Sequence, residues 1–190
     1  MVIKRLVLCL IFVCVMVQLF DMPDSFSKVI EGAIQADMES AEYIAAVVIT
    51  DIETRREDRI YTYITYRPIE ILKGDPDTLP HTIRMMGGKV GNERLVVSDI
   101  PEFEIGEKYL LFLRFDNPYC PIIGRYLRTF KVRHDPAFNK ETIFSYHDEK
   151  IYGFGMDGRA FKEQRSGGDE PIGLEHFRDY IRRNPGRRND

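Results

Sequence analysis

The sequence has no tryptophan, only three cysteines and four histidines, and no strong excess of either charge. Each shortage removes a class of reading. Cys9 and Cys14 fall in the first 27 residues, which leaves Cys120 alone beyond them. A lone cysteine closes no internal disulfide, so a disulfide-stapled scaffold is excluded. Set between Pro118 and Pro121, Cys120 reads as a small buried apolar residue. The histidines, His81, His134, His147 and His176, form no H-x-x-x-H or H-E-x-x-H pair. Structural zinc takes closely spaced nitrogen and sulfur ligands, so neither a metal nor another cofactor is expected. A formal net charge of -3, from 27 basic and 30 acidic residues, argues against a nucleic-acid partner, which needs a basic face. With 44% hydrophobic and 30% charged residues over 190 positions, the chain has globular composition; disorder, collagen and coiled coil are excluded.

What is present begins with an address. Lys4 and Arg5 precede an apolar run from Leu6 to Phe20, interrupted only by Gln18. Asp21, Pro23, Asp24 and the triplet Ser25-Phe26-Ser27 follow. A basic start, a short apolar core and a small-residue exit are the parts of a secretory signal. The run falls short of the ~20 apolar residues of a spanning helix. Residues 1–27 therefore read as a signal peptide or an N-terminal membrane anchor, and basic residues ahead of the run hold the N-terminus inside. Both readings export the rest: secreted or periplasmic in the first, anchored in the cytoplasmic membrane with the domain outside in the second. Residues 28–184 then form a single domain, and 185–190 a frayed tail.

The domain reads as mainly β with flanking helices. A helix is predicted from about Ser27 to Ser40, with Val29, Ile30, Ala33, Ile34 and Met38 on one stripe. Tyr43 to Ile52 is a strand apolar on both faces, Glu53 to Arg59 a turn, and Ile60 to Lys73 a long second strand. Its apolar phase is even through Tyr66 and odd at Ile69 and Ile71, the signature of a bulge beside Pro68. Further strands are expected at His81 to Met86, Arg94 to Ser98, Lys108 to Phe115 and Ile122 to Val132, with shorter ones at Ile143 to Tyr146 and Lys150 to Tyr152. Asp157-Gly158 signals a hairpin between Phe154 and Phe161. Leu174, Phe177 and Ile181 mark an amphipathic helix from Pro171 to Arg183. Short strands around one long bent strand predict a small antiparallel OB-like barrel.

Catalytic patterns are weak. Gly153 to Gly158 spells G-x-G-x-x-G, but a helix does not follow it, so the glycines read as turn residues. Ser98, Ser145, Ser166 and Cys120 stand in no nucleophile motif, and Glu102 and Glu104 alternate on an extended flank. The terminal arginines, from Arg178 to Arg188, suit the negative end of a helix.

The order of these elements carries a resemblance. Ala46-Val47-Val48, Glu70-Ile71-Leu72-Lys73-Gly74 and Met86-Gly87-Gly88 come in sequence. Pro101-x-Phe103-x-x-Gly106-Glu107-x-Tyr109-Leu110-Leu111-Phe112-Leu113 and Gly124 to Val132 follow. Over residues 41–132 the chain resembles a group of uncharacterised exported bacterial proteins and, more remotely, the netrin-like OB barrels, which include the tissue inhibitors of metalloproteinases. The resemblance implies an OB-like barrel flanked by helices. It does not imply protease inhibition, which in those inhibitors uses an N-terminal cysteine on zinc, and no cysteine stands near residue 28. The expected function is a non-catalytic binding module that contacts another envelope or secreted protein, with the membrane touched only through residues 6–20. The alternatives are a hydrolase whose site is assembled from distant residues and a membrane-anchored structural protein. OB-type barrels bind through rim loops, which here are Met86 to Asn92 and Asn117 to Pro121. Their candidate contact residues are Gly87, Gly88, Lys89, Asn117 and Tyr119.

Overall fold

Two strands that are apolar on both faces set the architecture, because such strands must be covered from both sides. The computed structural model describes residues 33–154, 160–161 and 170–183. The leader, the start of the first predicted helix, the tip of the 153–161 hairpin and the tail lie outside them. In chain order come α1 (Ala33–Ser40), β1 (Tyr43–Arg56), β2 (Ile60–Lys73), β3 (Thr82–Met86), β4 (Gly88–Val90) and β5 (Glu93–Leu95). Then follow β6 (Lys108–Leu113), β7 (Phe130–Asp135), β8 (Lys140–Phe144), β9 (Gly153–Phe154), β10 (Ala160–Phe161) and α2 (Leu174–Arg183). The main sheet has six strands in the order β3-β2-β1-β6-β7-β8, every pair antiparallel. β4–β5 and β9–β10 are separate two-stranded ribbons.

One face of the sheet packs on the helices. Ile44 and Ala46 of β1, with Leu110 and Phe112 of β6, meet Ile34 and Met38 of α1 and Leu174 and Phe177 of α2. Phe112, Phe130, Phe154 and Phe177 interlock there edge to face, with ring centres 5.7 to 6.3 Å apart, the favoured arrangement of aromatic quadrupoles. The other face turns Ala45, Val47 and Ile49 of β1, and Tyr109, Leu111 and Leu113 of β6, toward loops. Leu79, Phe103, Cys120 and Ile122 cover it, and Cys120 is 3% exposed. Burial pushes the Tyr109 phenol up to about 12.

The bulge falls beside Pro68. Val47 opposes Pro68 and Ala46 opposes Glu70, so Ile69 has no cross-strand partner and points outward. The slip sends Tyr66 and Ile71 to the loop face and turns Glu70 toward the helices. Glu70 there accepts two hydrogen bonds from Arg178 of α2, at 2.6 and 2.7 Å, and this pairing holds the carboxyl below its ordinary range. Lys73, three residues on, donates to the carbonyls of Met38 and Glu39 at the end of α1. A cation there meets the unpaired carbonyls of a helix C-terminus. The bulge thus makes one strand serve the core on one side and both helices on the other.

Four expectations are corrected. The barrel is not closed: β8 and the segments at 149–151 and 170–173 occupy the far edge, where Ile143 N–H donates to the Ile172 carbonyl at 2.9 Å. With that edge taken, β3 has no strand to close against. Ile122 to Val132 is not one strand. Gly124 and Arg125 adopt left-handed φ of 66° and 52°, a short 3-10 turn spans Arg125–Arg128, and β7 begins only at Phe130. Arg128, drawn inward to an ion pair with Asp37 of α1 at 2.6 Å, fixes that turn. The polar stretch after Ile52 continues β1 to Arg56, because Glu53 and Arg55 pair across to Tyr63 and Tyr61 and the Arg55 guanidinium stacks on the Tyr63 ring. Finally, the strand expected at Arg94 to Ser98 is the shorter β5, folded back on β4. The hairpin expected around Asp157-Gly158 agrees with the pairing of its flanks, Phe154 with Ala160 and Gly153 with Phe161.

Candidate binding rim

The loop face ends in a rim where β3 runs into glycine. Gly87 and Gly88 take φ of 116° and 128°, and L side chains rarely adopt such angles. The Gly87 N–H donates to the Ile60 carbonyl at 2.8 Å, and the Thr62 hydroxyl donates to the Gly87 carbonyl at 2.7 Å. A Cβ on Gly88 would stand 2.5 Å from Thr62 Oγ1 and 2.6 Å from Thr54 Cγ2. The glycines therefore do two things. They turn the chain out of β3 and let it lie directly on the β1–β2 ribbon.

β4 and β5 fold over this point, with Gly88 opposite Leu95, Lys89 opposite Arg94 and Val90 opposite Glu93. Two like charges directly opposite each other destabilise an antiparallel pair. Glu93 is paired with Arg56, while neither Lys89 nor Arg94 has an ion-pair partner among the described residues. Beneath the ribbon is a pocket of about 430 Å³. Its floor is the buried Ile64, Met85 and Phe103, and its walls are the half-buried Ile52, Leu95, Val97 and Ile100. Lys89, Arg94, Glu102 and Val96, the last 73% exposed, stand at its mouth.

The second loop meets the first. The Met86 N–H, at the end of β3, donates to the Tyr119 carbonyl at 2.8 Å. Asn117 shapes this loop, its side-chain oxygen accepting from the N–H groups of Tyr119 at 2.9 Å and Cys120 at 3.4 Å. The Tyr119 ring is 53% exposed, while Cys120 turns inward and burial pushes its thiol up. A separate pocket of about 360 Å³ lies between Asn117, Cys120, Ile122 and the Gly124–Leu127 turn. Gly87, Gly88 and Lys89 thus line the larger pocket, Asn117 the smaller, and Tyr119 projects beside the bond that joins the two loops.

Sequence reasoning passed over Arg94, Val96, Val97, Glu102 and Phe103 on the same pocket. Leu95-Val96-Val97 is an apolar run in a polar stretch, but only the structure shows Val96 exposed and Val97 on the pocket wall. It also passed over a half-exposed ring cluster, in which Tyr126, Tyr146 and His147 sit 5.4 to 6.2 Å apart. The Glu102 N–H donates to the Tyr146 hydroxyl at 3.0 Å and so fastens the pocket's far wall to this cluster. Next to it, Lys131 binds both Asp148 oxygens, at 2.9 and 3.1 Å, and holds that carboxyl low with help from Arg133.

Two of the catalytic candidates, Ser145 and Cys120, serve local structure. The Ser145 hydroxyl accepts from the N–H groups of His147 and Glu149 and donates to the Glu149 carboxylate at 3.2 Å, closing its own turn. Cys120 is buried, and burial pushes its thiol pKa up, the setting of an inert thiol. Among the described residues no three of His, Cys, Asp and Glu gather to hold a metal ion, and no helix is long and apolar enough to cross a membrane. No family model, no curated protein and no solved structure matches this chain.

Proposed function

We propose that this protein is an exported, non-catalytic, OB-like binding module that contacts another envelope or secreted protein through the rim formed by residues 86–92 and 117–121. The observation that carries the reading is the Met86–Tyr119 hydrogen bond, which fixes two loops far apart in sequence into one surface. That surface presents an exposed tyrosine and, beside apolar pocket walls, two cations with no ion-pair partner among the described residues. Exposed aromatic and basic side chains around an apolar centre are the composition of a protein interface. The strand order supports the OB-like part: β1 pairs with both β2 and β6, joining the β1-β2-β3 meander to the β6-β7-β8 meander, with the seam left open. The engagement of Ser145 and Cys120 in local structure favours binding over hydrolysis.

A photo-crosslinking amino acid at position 119, expressed in the source cell, tests the reading. One discrete adduct with an envelope protein is expected, absent when the same residue stands at position 179, exposed on α2 across the sheet. Equal yields at both positions, or none at 119, overturn it. N-terminal sequencing of the exported form separates a cleaved leader, starting near Lys28, from an anchor that retains Met1.

A further inference from the structure

We propose that the pocket under the β4–β5 ribbon binds an anionic amphiphile by one aliphatic chain, with that chain among Ile64, Met85, Val97, Ile100 and Phe103 and the acidic head between Lys89 and Arg94. The inference goes beyond the partner reading, since it concerns a small ligand inside the pocket rather than a protein laid across the 86–92 and 117–121 rim.

The lining decides the tail. Floor and walls are aliphatic apart from one phenylalanine, and the two hydroxyls among them, Thr54 and Thr62, are engaged with each other and with the Gly87 carbonyl. A guest with polar groups along its length would find no partners inside and would lose its own hydration. A hydrocarbon chain loses nothing. A volume of about 430 Å³ is within the range of small-molecule sites.

The ribbon decides the head. Lys89 and Arg94 face each other across an antiparallel pair without an acid to separate them. A carboxylate, sulfate or phosphate group between them converts a repulsion into two charge-assisted hydrogen bonds. Glu102 is the single carboxylate on the lining, so the mouth carries two cations against one anion. That balance selects against a cationic amphiphile.

The test uses the intact chain and decanoate as the probe, followed by NMR. Nuclear Overhauser contacts from the decanoate chain to the Met85 methyl and the Phe103 ring are expected. Decyltrimethylammonium should bind at least about tenfold more weakly. The K89E/R94E double variant should lose decanoate affinity by a similar factor with an unchanged unfolding midpoint, since both side chains are exposed; K89Q repeats the measurement if the double variant does not fold. A second arm uses vesicles of phosphatidylglycerol or phosphatidylcholine. Perturbation of the Met85 methyl by the anionic vesicles, lost in K89E/R94E, identifies the source as a bilayer lipid, whereas decanoate binding alone identifies a free amphiphile. Equal affinity for the anion and the cation, contacts away from Met85, or no response in either arm overturns the proposal. The crosslink at position 119 stands or falls separately, because it is read in a chain that keeps Lys89 and Arg94.

Discussion

The two faces of the central sheet are built from the same strands and closed in different ways. The helix face is sealed by α1 and α2, with four interlocked phenylalanines and clamps at Glu70–Arg178, Arg128–Asp37 and Lys73. The loop face is sealed by single residues that hang from connections, such as Leu79, Phe103 and Cys120, and it leaves a pocket at the Gly87 end. A helix lays a continuous stripe on a sheet, while a loop supplies one side chain at a time. Stability therefore concentrates on one side and accessible apolar surface on the other. The proposed binding surface lies on the second.

The largest expected effect breaks the helix face. Phe112→Ala removes a fully buried ring from the aromatic cluster and should cost about 3–5 kcal/mol in urea unfolding. Gly88→Ala comes next, at about 1–3 kcal/mol, since its φ of 128° suits glycine and the added methyl meets Thr54 and Thr62. Chemical shifts should move in β4 and β5 and stay fixed in α2. Val97→Ala, on the pocket wall, should cost about 1 kcal/mol or less because the site is half-exposed. Equal losses at Phe112 and Val97 would erase the distinction between the faces.

The smallest effect is a pH dependence on the helix side. Arg178 depresses the Glu70 pKa, so the carboxylate's stabilising contribution is complete above its ordinary pKa and fades as pH falls through the lowered one. With both partners about one-third exposed, the pair is worth about 0.5–1 kcal/mol. Wild type should exceed Glu70→Gln by that amount near pH 7, and thermal melts should bring the two together between about pH 5 and pH 3. Equal stabilities of wild type and Glu70→Gln near pH 7 would remove Glu70 from the clamp.

How much of this was legible depends on where the signal lay. The two-sided strands β1 and β6, the limits of β2 and the bulge beside Pro68 were all readable, because hydrophobic phase is written residue by residue. The 3-10 turn at Arg125–Arg128 was not, because Tyr126, Phe130 and Val132 keep strand phase while Gly124 breaks the chain ahead of them. Of the rim, the glycine turn was visible from its letters. Arg94, Val96 and Phe103 were not, since they join Gly88 through cross-strand pairing and loop packing.

The sequence alone determined a β-rich chain with a buried cysteine, a bent long strand and amphipathic flanks, because periodicity, proline and glycine act locally. Tertiary structure alone decided that the sheet stays open, that 117–121 rests against the end of β3, and that Lys89 faces Arg94 over an apolar pocket. Those outcomes depend on which edge is occupied first and which distant backbone groups find each other. Such pairings between remote residues leave no mark on local pattern.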